Sequence, residues 1–482
     1  MSISLGVAYA TCRESELKLP LRGLTGTFAS AHSSGRRGQC ELRRRTCITT
    51  KCGLRTVQGV ERKFGIDRSL VEKRGKLNVV AQLTSGSNGH VEQSTPGKEK
   101  TIDVVALNNL CVDVFVEMEE LPPLEKTARM AALEELVSSP PPSISNWEVG
   151  GASNFAIAAV RLGLSCTCLG HTGQDRYGQF MTNTLEEEGV QVIQLADCEP
   201  GDDSACTQVE TLVCWVMMNR CNEHQFCSRF DFTTVPLLDH LPALPPAAQD
   251  AINQAQALML NGFVFDELTP ATVLSAVMAA RRARTAVFFD VGPRGTPLQN
   301  DVPAGGKAVL REVLRLSDVV LLTEEEAEMV TGQSDPHKAA EQILHAEGSA
   351  VKWVVLKMGG EGCFILTRDE LAHHPAMCIQ LEDTVGCGDS LAAAVVLGYI
   401  NGLALRPTLS LANAVGGATA TRRGAGRNVA TAEAARQLLL DCAVNAEVAH
   451  RESAREALRI LDAASSGGTR PPGGVSKVSS GV

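Results

Sequence analysis

An α/β fold, with a mostly parallel sheet between two layers of helices and a small second β unit, is the architecture the sequence predicts. Three observations carry it. Short β-branched runs alternate with helical periods from Ile102 to about residue 430, the strand–helix–strand repetition that produces parallel crossovers. One stretch breaks the alternation: Thr207–Met218 and Gln225–Phe232 flank the polar turn Asn219–Glu223 and read as a hairpin. Glycine-bearing polar junctions fall at or near the carboxyl ends of strands, where ligands gather in such sheets.

Taken in order, residues 1–60 carry ten Lys or Arg against three acids, with many Ser and Thr and no sustained apolar period. That composition matches an organelle transit peptide, and a basic arm for nucleic acid is the alternative. Residues 77–100 are rich in Ser, Gly, Asn, Gln and Lys, so 1–100 is expected to be transit peptide and flexible linker. Ile102–Leu107 is the first strand, followed by Ala257–Asn261, Ala286–Asp290, Asp318–Leu322 and Trp353–Lys357, with helices such as Pro270–Arg284 and Gly306–Leu316 between them. Residues 431–465 form a C-terminal helical segment, and 466–482, rich in Gly, Pro and Ser, a disordered tail.

Charge and cysteine usage narrow the class. The first hundred residues hold eighteen basic and eight acidic side chains, so the overall net charge of −10 leaves −20 on the remainder. An acidic body argues against nucleic-acid or membrane-surface partners, which need a positive field. No run approaches eighteen apolar residues, and Leu391–Ile400 is too short to span a bilayer. Sixteen cysteines are scattered with no C-x-x-C, which points to a reducing compartment. Read with the N-terminus, that favours a plastid stroma, with mitochondrion or cytosol as alternatives.

The most informative segment is Asp383-Thr384-Val385-Gly386-Cys387-Gly388-Asp389-Ser390. Its glycines let backbone approach an anion, and the apolar run Leu391–Leu397 reads as a helix whose first N–H groups point at that anion. Asp389 at the mouth of that helix is placed to take a proton from a hydroxyl attacking a phosphoryl group, or else to serve as a plain N-cap. G-x-x-x-x-G-K-[ST] is absent, and no strand is followed by G-x-G-x-x-G, so P-loop and nicotinamide chemistry have no support.

The segment resembles the D-T-x-G-A-G-D signature of the PfkB, or ribokinase-like, family of sugar and nucleoside kinases, with Cys387 where alanine is usual. Gly150-Gly151-Ala152-Ser153-Asn154 is similar to the family's G-G-x-x-x-N element, and Gly170–Gly178 continues that signature, with Asp175 read as a helix cap. The resemblance covers roughly residues 102–430 and implies a three-layer kinase domain over 101–430, with a small β-sheet lid built from about 114–149 and 207–232. Leu121–Trp147, with Pro140-Pro141-Pro142, is a longer excursion than the family usually has.

The resemblance also distributes roles. Asp389 becomes the base, with Gly386, Cys387 and Gly388 donating backbone N–H bonds to developing charge. Asp113 accepts bonds from two acceptor hydroxyls, each worth about 1.5–3 kcal/mol, beside Gly150, Gly151 and Asn154. Asp383, Thr384, Lys357, Gly359, Gly360, Gly362 and Asn413 fall to the nucleotide, although a tight β-turn would give the same glycines. Glu326, in Thr323-Glu324-Glu325-Glu326, takes the place of a Mg²⁺-holding glutamate, with a helix-dipole role for these acids as the alternative. Asp290-Val291-Gly292-Pro293-Arg294 resembles D-x-N-x-R with glycine in the middle. ATP and Mg²⁺ are implied as cofactors, and a monovalent cation as a further candidate.

The reading that results is an ATP-dependent kinase of a sugar or nucleoside hydroxyl, as monomer or homodimer. A nucleoside or ribose-type sugar is favoured over a phosphosugar, because no Lys/Arg cluster offers itself to a second phosphate. A catalytically weak scaffold of a plastid complex is the alternative, motivated by the departures at Gly292, Thr323 and Cys387. A thiol at a helix N-terminus is expected to have a lowered pKa, which would make Cys387 an oxidation switch.

Overall fold

The computed structural model describes residues 100–196, 209–220 and 223–465. The segments read as transit peptide and tail lie outside the described residues, as do Thr207 and two residues of the hairpin turn. Ile102–Leu107 (β1) and Leu110–Glu117 (β2) are separated only by Asn108 and Asn109. Next come Lys126–Ser138 (α1), Trp147–Gly151 (β3), Ala152–Arg161 (α2), Cys166–Gly170 (β4), Arg176–Glu187 (α3), Gln191–Gln194 (β5), Leu212–Met218 (β6) and His224–Ser228 (β7). The middle of the chain supplies Pro246–Gln254 (α4), Ala255–Asn261 (β8), Val264–Glu267 (α5), Pro270–Arg282 (α6), Ala286–Asp290 (β9), Gly295–Gln299 (α7), Gly306–Leu316 (α8) and Val319–Thr323 (β10). Glu324–Thr331 (α9), Pro336–Leu344 (α10), Trp353–Lys357 (β11), Cys363–Leu366 (β12), Leu371–His374 (β13), Cys387–Ile400 (α11), Leu405–Ala420 (α12), Ala432–Asn445 (α13) and Val448–Ser465 (α14) complete it.

Nine strands form the large sheet in the order β13-β12-β11-β10-β9-β8-β1-β4-β5. All neighbours are parallel except β12 and β13, which close one edge as antiparallel strands. The β-branched runs are continuous because both faces are covered. Val104 and Ala106 of β1 enter the core shared with α2, α11 and α12, while Val105 and Leu107 enter the opposite core under α4, α6 and α8. From β1 the chain builds β4 and β5 on one side and β8 onward on the other. Crossovers diverge there, opening a crevice at the strand ends.

The small sheet has the order β3-β2-β6-β7, with β2 and β6 parallel and the outer pairs antiparallel. It leaves the large sheet directly after β1, so it hangs over the crevice as a lid. Its hairpin is shorter than the sequence suggests. Strand β7 stops at Ser228 because Asp231 turns back to accept from the Ser228 N–H at 2.8 Å. The excursion after β2 contains α1, which has no buried residue. It is tethered by Arg129, whose Nη2 donates to Phe226 O on β7 at 2.7 Å and pairs with Asp231 at 3.2 Å. At the other outer strand, Arg427 Nη2 donates to Trp147 O at 3.3 Å. Asp175 caps α3 as the sequence indicates, accepting from the Tyr177 and Gly178 N–H groups, and also binds Thr211 N at 2.8 Å.

Asp318, before β10, is buried and binds three partners: Arg281 at 2.7 Å, Lys352 at 3.0 Å and the Val287 N–H at 2.9 Å. It joins α6, β9 and β11 at the foot of the sheet. Asp318→Ala removes the acceptor of a buried amide while the two cations remain partly in water, and is expected to lower unfolding free energy by about 1–3 kcal/mol in a denaturant titration at neutral pH.

Candidate active site

Two helices begin at the crevice, and each starts from a glycine with positive φ: Gly151 (59°) before α2 and Gly386 (76°) before α11. A Cβ at Gly151 would run into Asn109 O, so the residue type is fixed by both angle and space. Neither helix has a side-chain cap. Asn154 and Asp389 each occupy the third position of their helix, and Asn154 Nδ2 donates to Asp389 Oδ2 at 3.2 Å. Asn154 Oδ1 in turn accepts from Gly426 N at 2.8 Å, which fixes the orientation of the amide. Asp389 is therefore not the N-cap of α11. Burial first, and then nearby Asp290, push its pKa up to about 6, against the opposing pull of Asn154 and Lys357.

Below this pair, at the ends of β9, β10 and β11, lies a charged floor. Lys357 Nζ bonds both oxygens of Asp290, at 2.8 and 2.7 Å, and lies 3.6 Å from where a Cβ on Gly388 would stand. Burial opposes the charge on Lys357, yet Asp290, Glu326 and Asp389 raise its pKa above the ordinary lysine value. Glu326 forms a capping box with Thr323: its Oε2 accepts from Thr323 N at 2.8 Å and its N–H donates to Thr323 Oγ1 at 3.2 Å. The Thr323 that departs from the family pattern thus has a structural use.

Across the crevice the lid contributes a second group. Asp113 on β2 stands opposite Glu148 on β3 and in register with Cys214 on β6. Gly150 carries no side chain because a Cβ there would collide with the Asp113 carboxylate. Burial, then Glu148 and Asp389, raise the Asp113 pKa to about 7, while the Cys111 thiol, 3.9 Å away, acts in the opposite direction. Glu148 is held by Arg427, whose Nε approaches Oε1 at 3.1 Å and whose backbone N–H donates to the same oxygen at 3.2 Å.

Several expected site residues take other places. Asp383 accepts from Val385 N at 3.1 Å and Gly424 N at 2.8 Å, so its carboxylate shapes the loop. Thr384 offers its carbonyl to Cys387 N at 3.3 Å within the same turn. Gly359, Gly360 and Gly362 form the tight turn joining antiparallel β11 and β12, and Gly362, at φ 92°, packs directly against His374 O. Asn413 is buried, and its Nδ2 donates to His374 O at 3.0 Å and Pro375 O at 3.2 Å, anchoring the end of β13. Arg294 of the D-x-N-x-R-like segment pairs with Asp266 at 2.9 Å. The pKa expected to be lowered at Cys387 is instead pushed up to about 12, by burial first and then by Asp383 and Asp389. Burial of the thiol, with the acids beside it, outweighs the helix dipole. Missed altogether were Glu148 and Arg427; strand alternation over Trp147-Glu148-Val149-Gly150 does put Glu148 on the face of Gly150, but nothing local announces its partner.

This is the fold of the ribokinases. The structure of Arabidopsis thaliana ribokinase complexed with ribose and ATP matches at a TM-score of 0.54 and 17% identity, covering 70% of this chain and 98% of that one. A putative ribokinase II from E. coli in complex with ATP and Mg²⁺ matches at 0.54 and 19%, covering 70% and 99%. The pfkB family carbohydrate kinase profile matches residues 139–432, and the chain belongs to that family. Among curated proteins, the 5-dehydro-2-deoxygluconokinase of Bacillus anthracis is 27% identical over 332 residues, spanning 67% of this chain and 89% of that protein.

Two outcomes follow from the site's electrostatics. Asp113 has a folded pKa near 7 against 3.8 in the unfolded chain, so its contribution to stability is fully present below about pH 4 and is lost as pH rises through 7. Asp113→Asn should therefore raise stability at pH 8 by on the order of 2–4 kcal/mol and flatten the pH dependence between 4 and 7 in thermal unfolding. Because Cys387 holds its proton, peroxide should inactivate wild type and Cys387→Ala at equal rates, which a time course at neutral pH checks.

Proposed function

We propose that the protein transfers the γ-phosphoryl group of ATP to a hydroxyl of a free sugar or sugar acid, with Asp389 as general base. The supporting observation is the carboxylate of Asp389, fixed by Asn154 in the first turn of a helix that starts from an uncapped glycine. A pKa near 6 makes it ionised at neutral pH and a stronger base than an ordinary aspartate. The acceptor's hydroxyls would lie between Asp389 and Asp113, whose carboxyl can bridge a diol. Gly386 and Gly388 would present N–H groups to the transferring phosphoryl oxygens, with Lys357 behind them supplying positive charge and the Cys387 N–H closing the turn on Thr384 O.

For Mg²⁺ the available donor is of the right kind. Glu326 offers carboxylate oxygen near the Lys357–Asp290 pair, and Mg²⁺ completes its shell with water and phosphate oxygens. When bound it would neutralise phosphate charge. The lid, with Asp113 and Glu148 on it, would exclude water from the acceptor. The relative that phosphorylates a sugar acid by name, and the absence of a basic cluster for a second phosphate in the sequence, support an unphosphorylated acceptor. The basic first sixty residues support action in a plastid.

The test is a screen of ATP with 5-dehydro-2-deoxygluconate, D-ribose and adenosine, using protein from which residues 1–99 have been removed. Turnover of one acceptor is expected. No turnover with any, alongside stable association with a large complex, would favour the scaffold reading. Asp389→Asn should lower kcat by about 100- to 10,000-fold while ATP binding, measured by calorimetry, changes little.

A further inference from the structure

Residues 426 and 427, in the single turn between α12 and α13, touch both halves of the site. Gly426 donates its N–H to Asn154 Oδ1 at 2.8 Å, and that contact turns Asn154 Nδ2 toward Asp389. Arg427 binds Glu148 through both its backbone N–H and its Nε, at 3.2 and 3.1 Å. Gly426 has φ 62°, and a Cβ there would overlap Glu148 and the Val149 carbonyl, so β3 of the lid lies directly on this turn. The guanidinium also lies 5.5 Å from the centre of the Phe180 ring, which limits its freedom.

We propose that Arg427 is a positioning residue: by clamping Glu148 it holds β3 of the lid on the turn whose amide orients Asn154 and thereby Asp389, and it neutralises a carboxylate beside the acceptor aspartate. The inference rests on Asp389 and Asp113 having the roles given above. Lid closure and alignment of the base then become one event, because the same two residues make both contacts. A lid displaced from this turn would leave Glu148 without its cation, facing Asp113 in a cleft that already holds Asp389.

Arg427 itself reaches neither reacting group. The charged and titratable groups around Asp113 are Glu148 from β3, Cys111 from its own strand, Cys214 from β6 and Asp389 from α11. Those around Asp389 are Asp290 from β9, Lys357 from β11, Asp113 from β2 and Cys387 from its own helix. Of all these, only Glu148 has its charge balanced by Arg427. Removing the arginine should therefore act through Glu148 alone, and removing Glu148 as well should relieve the effect.

The experiment is a double-mutant cycle with Arg427→Met, Glu148→Gln and their combination, assayed with ATP and with each acceptor of the screen. Arg427→Met is expected to lower kcat/KM for the acceptor about 10- to 100-fold, to leave KM for ATP within about twofold, and to move the acid limb of the pH profile upward. Glu148→Gln alone should move that limb downward, and the combination should recover most of the lost kcat/KM. A combination as weak as Arg427→Met, or an acid limb stationary in both single variants, overturns the proposal. Hydrogen exchange at the Arg427 amide reads the clamp without any substrate: it should exchange faster in Glu148→Leu, which removes its acceptor, and unchanged protection there overturns the clamp even if Arg427→Met does not fold. If wild type phosphorylates none of the acceptors, the substrate reading fails while the exchange result still decides the clamp.

Discussion

Negative charge held partly out of water is the constraint around which the cleft is organised. Asp113, Glu148, Asp290, Glu326 and Asp389 converge there, and Lys357 and Arg427 are the cations bonded among them. A carboxylate removed from water needs a cation, hydrogen bonds or a proton. Asp290 has Lys357, Glu148 has Arg427, and Glu326 has the amide of its own helix start. Asp113 and Asp389 have no cation of their own and show raised pKa values. Acids with a cation or a cap are thereby tied to the architecture, whereas Asp113 and Asp389 keep carboxyl groups that burial makes more basic than an ordinary aspartate.

Much of the fold was legible because buried parallel strands leave a blunt trace. Ile102–Leu107, Ala286–Asp290 and Trp353–Lys357 are strands with the bounds that their apolar runs suggest, since both faces demand the same residue types. The glycine-rich junction before α11 was legible for a different reason, in that a positive-φ helix start tolerates few residues. Pairings across the chain were not. Glu148 and Arg427 are separated by 279 residues, and an ion pair has no periodicity to reveal it. Cys387 was misjudged because the helix-end argument counts one dipole and overlooks burial first, and then Asp383 and Asp389 on either side. Asn413 shows the same weakness: a motif position indicates a neighbourhood, while the direction of the amide is decided by the carbonyls at the end of β13.

The lid departs most from what pattern alone conveys. Its central pair joins Asp113 to Cys214 in register, so Asp113 is positioned by a strand that arrives about a hundred residues later in the chain. Its packing against α3 is aromatic, with Trp147 on Tyr177 at 4.6 Å and Phe180 edge-on at 5.7 Å. A face anchored in this way can carry acids on its other side without loosening.

Both outer strands of that small sheet are held by a guanidinium, Arg129 on Phe226 O and Arg427 on Trp147 O. Open sheet margins are templates on which foreign backbone polymerises. Here an invading strand would have to evict an arginine from whichever border it approached, and each arginine is also tied to an acid. The same side chains that hold the cover in place therefore guard it against cross-chain stacking and the fibrous aggregates that such stacking seeds.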